Sequence, residues 1–134
     1  MSKPSDKKKI LVVDDEPNIV SMLQLRLEAS NYSVVTAFDG LEALEQVKAE
    51  KPHLILLDIL MPRMDGCTFL QQMKLQGLGG NIPIIVLTGK AKMREFFFID
   101  GVVDFIVKPF DSKNLLCEIA RHLERKEVPI TKGR

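Results

Sequence analysis

Three carboxylates, one hydroxyl and one ammonium stand where a single sheet edge would collect them: Asp14, Asp15, Asp58, Thr88 and Lys108. Each lies at the end of a short run that is apolar or, in the last case, apolar but for Asp104. Ile10 to Val13 leads into the acidic pair, Leu54 to Leu57 into Asp58, Pro83 to Leu87 into Thr88, and Val102 to Val107 into Lys108. Continuous apolar runs bounded by turn signals fit strands buried on both faces. Open parallel sheets carry their chemistry just beyond the carboxyl ends of the strands. An unpaired buried Asp costs several kcal/mol, so Asp58 needs a partner or a purpose there. Taken singly, each residue has a plainer explanation. Asp58 could cap a turn, Thr88 could be an ordinary strand-end hydroxyl, Lys108 a solvated lysine, and Pro109 a helix-start signal. Turn capping does not account for four strand ends that share one habit.

The elements between these runs must bring their ends to one edge. Pro17 suits a first helical position, and Val20, Leu23 and Leu27 recur at helical spacing up to about Ser30. Asn31-Tyr32 ends that helix, and Ser33 to Ala37 reads as a β-branched strand closed by Asp39-Gly40. Leu41, Leu44 and Val47 mark a second helix ending near Lys51-Pro52. A third helix after Gly66 carries Phe69, Leu70 and Met73, and it gives way to the glycine-rich stretch Gly77 to Asn81. Residues 91–100 read as helical. Asp111 or Ser112 caps a last helix with the stripe Leu115, Leu116, Ile119, Ala120 and Leu123. Five strand–helix alternations predict an α/β domain with parallel strands, right-handed crossovers and helices on both faces.

Composition narrows the partners. The chain has 134 residues, 46% hydrophobic and 28% charged, with a net charge of +1. That is one globular domain with no global field selecting nucleic acid or a membrane. Residues 1–8 read as a disordered tail, 9–125 as the domain and 126–134 as a second tail. Lys3, Lys7, Lys8 and Lys9 lack interleaved aromatics, so they read as solvated. Cys67 and Cys117 have no zinc-like spacing and read as reduced, partly buried thiols of a cytoplasmic protein. No run approaches a membrane span, and no secretory leader is visible. His53 and His122 read as ordinary residues.

The motifs Val-Val-Asp14-Asp15-Glu-Pro, Leu-Leu-Asp58-Ile-Leu-Met-Pro-Arg-Met-Asp-Gly66, Ile-Val-Leu-Thr88-Gly and Asp104-Phe-Ile-Val-Lys108-Pro-Phe110 together resemble the receiver domain of bacterial two-component response regulators. The chain is similar to the chemotaxis-type single-domain receivers over roughly residues 9–125. The resemblance implies a flavodoxin-like, doubly wound five-stranded parallel sheet in the order 2-1-3-4-5. It implies that Asp58 is the phospho-acceptor, charged by a sensor histidine kinase or a histidine phosphotransfer protein. Asp14, Asp15, Asp58 and the backbone carbonyl of Leu60 would hold Mg²⁺ or Mn²⁺, with Asp14 acting mostly through water. Three carboxylates so close cannot all stay ionised unaided, and a hard oxygen site suits Mg²⁺. Lys108 would pair with phosphoryl oxygens, Thr88 would hydrogen-bond the phosphoryl group, and Phe105 would turn inward as the switch aromatic. A cis Lys108-Pro109 bond is also implied. Phosphoryl acceptance and hydrolysis would be self-catalysed, and the output would be binding rather than turnover of a substrate.

Two departures from the pattern carry consequences. Phe105 stands where many relatives have Tyr, so no partner can read a hydroxyl there. Leu60 offers no amide or acid to position water, which predicts slow self-dephosphorylation. Phe96, Phe97 and Phe98 sweep ~200° of a helix at ~100° per residue, so either that helix is irregular or one ring is exposed. An exposed ring would mark a partner surface on the usual output face, formed by this helix with the fifth strand and the last helix. Competing readings are a constitutive pseudo-receiver, a small-molecule phosphohydrolase, or a receiver cut from a longer regulator. Leu60 cannot serve as the general acid a hydrolase needs, and the intact acids, Thr88 and Lys108 weigh against a pseudo-receiver.

Overall fold

Alternate residues of each apolar run go to opposite faces of one parallel sheet. The structure, a computed structural model, describes residues 7–58, 66–78, 80, 82–88, 102–108 and 110–123. In chain order these form β1 (Lys9–Val13), α1 (Pro17–Ala29), β2 (Ser33–Ala37), α2 (Gly40–Glu50), β3 (Leu54–Asp58), α3 (Gly66–Leu75), β4 (Ile84–Thr88), β5 (Val102–Val107) and α4 (Ser112–Leu123). The sheet order is β2-β1-β3-β4-β5, with every pairing parallel. This is the doubly wound architecture and strand order expected from the sequence.

Strand parity divides the core in two. Leu11, Val13, Ile55, Leu57, Ile84 and Val86 face α2 and α3, where Ala43, Leu44, Val47, Phe69, Leu70 and Met73 meet them. Ile10, Val12, Leu54, Leu56, Ile85 and Leu87 face α1 and α4, meeting Val20, Leu23, Leu27, Leu115 and Ile119. β3 is buried along its whole length, as a central strand covered on both faces must be.

Local chemistry sets the helix ends. Pro17 opens α1, where its missing N–H satisfies nothing in any case. Asn31 takes a positive φ of 73° just past α1, a conformation Asn tolerates better than most residues. Asp39 caps α2 by accepting the Glu42 N–H at 2.8 Å, and Glu42 reaches back to accept the Phe38 N–H at 2.8 Å. That reciprocal arrangement resembles a capping box. Asp111, rather than Ser112, caps α4: its carboxylate accepts the Lys113 N–H and its carbonyl the Leu115 N–H.

β5 breaks the regular register. Val102 pairs with Ile84, but Asp104 pairs with Ile85, so Val103 is an extra residue. Beyond this bulge Phe105 packs with the α2/α3 layer and Ile106 with the α1/α4 layer. Both cysteines are free; Cys67 is half-buried, whereas Cys117 is exposed on α4, not partly buried as its sequence setting suggests. The sequence expectations for residues 91–100, including Phe96–Phe98, fall outside the described residues, as do those for Leu60, Pro109, residues 1–6 and residues 124–134.

Candidate functional site

The carboxyl edge of the sheet gathers the acids. β1 ends at Val13, and Asp14 follows, fully buried and held by its own N–H to the Ala37 carbonyl at 3.1 Å. β3 delivers Asp58, which is 7% exposed. Asp15 is exposed. One carboxylate oxygen from each of Asp14, Asp15 and Asp58 lies within 4.8 Å of the others.

Asp14 is satisfied on both oxygens. Its Oδ1 accepts the Glu16 N–H at 3.0 Å, which also fixes the start of α1. Its Oδ2 accepts from Lys108 Nζ at 2.8 Å. Lys108 projects from just past β5, with its side chain 19% exposed, and its Nζ also stands 3.8 Å from Asp58 Oδ1. Burial pulls the Lys108 pKa down, but the hydrogen bond and charge of Asp14, then the charges of Asp58 and Glu16, outweigh it. The net result lies above the usual lysine range, so the group is an ammonium at neutral pH.

Three carboxylates and one ammonium leave this edge with net negative charge. A cluster of hard oxygens, one of them on an exposed side chain reachable by water, is the donor set Mg²⁺ prefers. The residues therefore fit a divalent cation, and they fit it better than they fit one another. Thr88 closes β4 with its backbone paired to Val107, so it ends on this same edge. Phe105 sits two pairs earlier in that ladder, opposite Val86, and packs against the core layer under α2 and α3. Asp14, Asp15, Asp58 and Lys108 thus come together as the sequence predicts, with Thr88 on the neighbouring strand end.

One cluster escapes a reading of the sequence. His122, ordinary by its sequence setting, lies beside Asp104 and Glu118. The Glu118-x-x-x-His122 spacing was visible as one helix face. Asp104 joins it only through the packing of β5 against α4.

The comparisons with known proteins agree with this fold. A family model for the response regulator receiver domain matches residues 10–120. The alkaline phosphatase synthesis transcriptional regulatory protein PhoP of Bacillus subtilis is 43% identical over 125 residues, covering 90% of this chain and 50% of that protein. The chain spans about half the length of several curated relatives it matches. A CheY-like receiver domain protein from Methanospirillum hungatei superposes with a TM-score of 0.81 at 31% identity, covering 90% of this chain and 96% of that one. The receiver domain of the sensor histidine kinase PA1611 from Pseudomonas aeruginosa, described with magnesium coordinated in its active-site cleft, gives a TM-score of 0.79 at 28% identity, covering 87% of this chain and 98% of that one.

Proposed function

The chain belongs to the response regulator receiver family, and from that premise we propose that Asp58 accepts a phosphoryl group from a phosphohistidine on a sensor kinase or phosphotransfer protein. The observation that carries this reading is the convergence of Asp14, Asp15, Asp58 and Lys108 on one sheet edge. An Asp58 carboxylate oxygen attacks phosphorus, a P–O bond forms, the P–N bond to imidazole breaks, and the freed imidazole takes a proton from solvent. Asp14 and Asp15, with Asp58, would hold Mg²⁺, as one similar receiver is described to do. When bound, the cation neutralises charge on the phosphoryl oxygens. Lys108 supplies the second positive group as a point charge already beside Asp58. Asp14 keeps that ammonium in place before the phosphoryl group arrives.

The protein is a switch rather than a turnover enzyme in this reading, with a downstream protein as its target. The activities named for longer relatives belong to those proteins, and no direct nucleic-acid contact is assigned to this chain. Leu60, two residues past the acceptor, has an apolar side chain and cannot orient a hydrolytic water, so the phosphoryl group should persist well beyond seconds. The test is incubation with Mg²⁺ and a small phosphodonor, followed by intact-mass measurement. The reading requires a gain of one phosphoryl group, acid-stable and base-labile, that Asp58→Ala abolishes. No gain, or a gain that survives Asp58→Ala, overturns it. Decay of the adduct within seconds in purified protein overturns the slow-hydrolysis claim alone.

A further inference from the structure

A second group of ligand atoms lies on β5 and α4, away from the acidic edge. Asp104 precedes Lys108 by four residues, about 13 Å along an extended strand. Glu118 and His122 are one turn apart on α4 and share a face. His122 Nε2 stands 3.3 Å from Asp104 Oδ2 and 3.9 Å from Glu118 Oε1. One ligand atom from each of the three lies within 4.8 Å of the other two.

Two features make this more than a surface charge cluster. The His122 side chain is only 5% exposed, so its ring nitrogen is aimed by packing and not by solvent. Asp104 Oδ1 accepts the N–H of Phe105 at 2.9 Å, which fixes the carboxylate and turns Oδ2 toward the imidazole. Outer hydrogen bonds of this kind orient metal ligands.

The corner also holds a cation of the chain's own. Arg121 Nη2 lies 2.7 Å from Glu118 Oε1, 3.4 Å from Asp104 Oδ2 and 3.5 Å from His122 Nε2. Its side chain is 60% exposed, so it can leave for water without unpacking anything.

We propose that Asp104, Glu118 and His122 form a binding site for a divalent transition-metal ion of the zinc class, with Arg121 as the internal cation that the metal displaces. One imidazole nitrogen and two carboxylate oxygens suit zinc, which completes its tetrahedron with water. They do not suit Mg²⁺, which takes oxygen ligands. Only a ring with a free lone pair on Nε2 ligates, so in the bound form the ring proton sits on Nδ1. The ion would pin β5 to α4 beside Phe105. This site is independent of phosphoryl transfer.

The test is titration of zinc chloride into the full chain in excess Mg²⁺, watching the ring nitrogens of both histidines by ¹⁵N NMR. His53, whose Nδ1 accepts the Lys9 N–H at 2.9 Å, is the internal reference. The His122 Nε2 resonance is expected to move to its metal-bound position at about one equivalent. His122→Gln and Glu118→Gln should each weaken zinc binding by about tenfold or more, and Arg121→Gln should strengthen it. A His122 ring that does not respond to zinc overturns the site, and this includes the case in which zinc goes to the Asp14–Asp15–Asp58 edge instead. Zinc affinity unchanged in both His122→Gln and Glu118→Gln overturns it as well. Weaker binding in Arg121→Gln overturns the displacement.

Discussion

Lys108 Nζ lies 2.8 Å from Asp14 Oδ2 but 3.8 Å from Asp58 Oδ1. The ammonium thus hydrogen-bonds the fully buried acid of the pair and makes a longer ion pair with the acid that ends the central strand. The difference between the two distances is about 1 Å, so a modest side-chain movement would shift the ammonium from one acid toward the other.

Lys108→Met should leave Asp58 able to accept a phosphoryl group, but slowly. Removing one positioned charge from a developing phosphoryl transition state typically costs on the order of 10²-fold in rate. The time course of adduct formation by intact mass, at fixed Mg²⁺ and small phosphodonor, checks this. A rate equal to wild type would remove Lys108 from the chemistry.

The raised Lys108 pKa predicts the alkaline stability profile. A lysine that binds its proton more tightly when folded contributes stability that is fully present below the unfolded lysine value of about 10.4. That contribution is lost as pH rises through the higher folded value. Urea midpoints measured from pH 9 upward should therefore fall more steeply in wild type than in Lys108→Met.

Repulsion among the acids predicts that the site destabilises the fold when no cation is bound. Neutralising one of three carboxylates within 4.8 Å should relieve this. Asp58→Asn is expected to unfold at higher urea than wild type in a chelator, by on the order of 1 kcal/mol. Adding Mg²⁺ should raise the wild-type midpoint and leave the variant nearly unmoved. A variant that is less stable in chelator would show that Asp58 is tied down by something stronger than this repulsion.

His53 predicts an acid-side change of separate origin. Burial, then the charges of Lys8 and Lys9, lower its pKa. The unfolded chain therefore takes up this proton first, and stability falls as pH drops below about 6.5 toward the folded value. His53→Gln should flatten the urea midpoint in that window.

Asp39→Ala removes the cap on α2 and strands the Glu42 N–H. A loss of about 1 kcal/mol is expected by urea denaturation, with phosphoryl acceptance unchanged.

Much of the molecule was legible because its signals are local. The runs at Ile10, Leu54 and Pro83 announced buried strands, and their ends announced a shared edge. Asp39-Gly40 reads in the sequence as the turn that closes the second strand, and its role as the cap of α2, with Glu42 as the reciprocal partner, comes from the structure. The partners of Lys108 were harder to rank. Its preference for Asp14 over Asp58 depends on the reach of a side chain from β5 across to β1, which no spacing encodes. The Asp104–Glu118–His122 group was illegible for the same reason, since one of its members comes from another element. Which thiol is exposed depended on the facing of α4, and a strand-to-helix pattern does not give rotation to within one residue.

The extra residue in β5 acts like a one-step shift in a two-letter alphabet. Strand side chains alternate strictly, so a single insertion exchanges inside and outside for everything downstream. With Val103 absorbed in the bulge, Phe105 enters the layer beneath α2 and α3 while Asp104 falls opposite Ile85, on the side α4 covers. Deleting Val103 would leave Val102 opposite Ile84 and Asp104 opposite Ile85 in regular alternation, with the aromatic and the carboxylate on their present sides, whereas pairing Val103 with Ile85 would exchange them. The Phe105 ring and the proposed metal corner therefore hang on one valine being left out of the ladder.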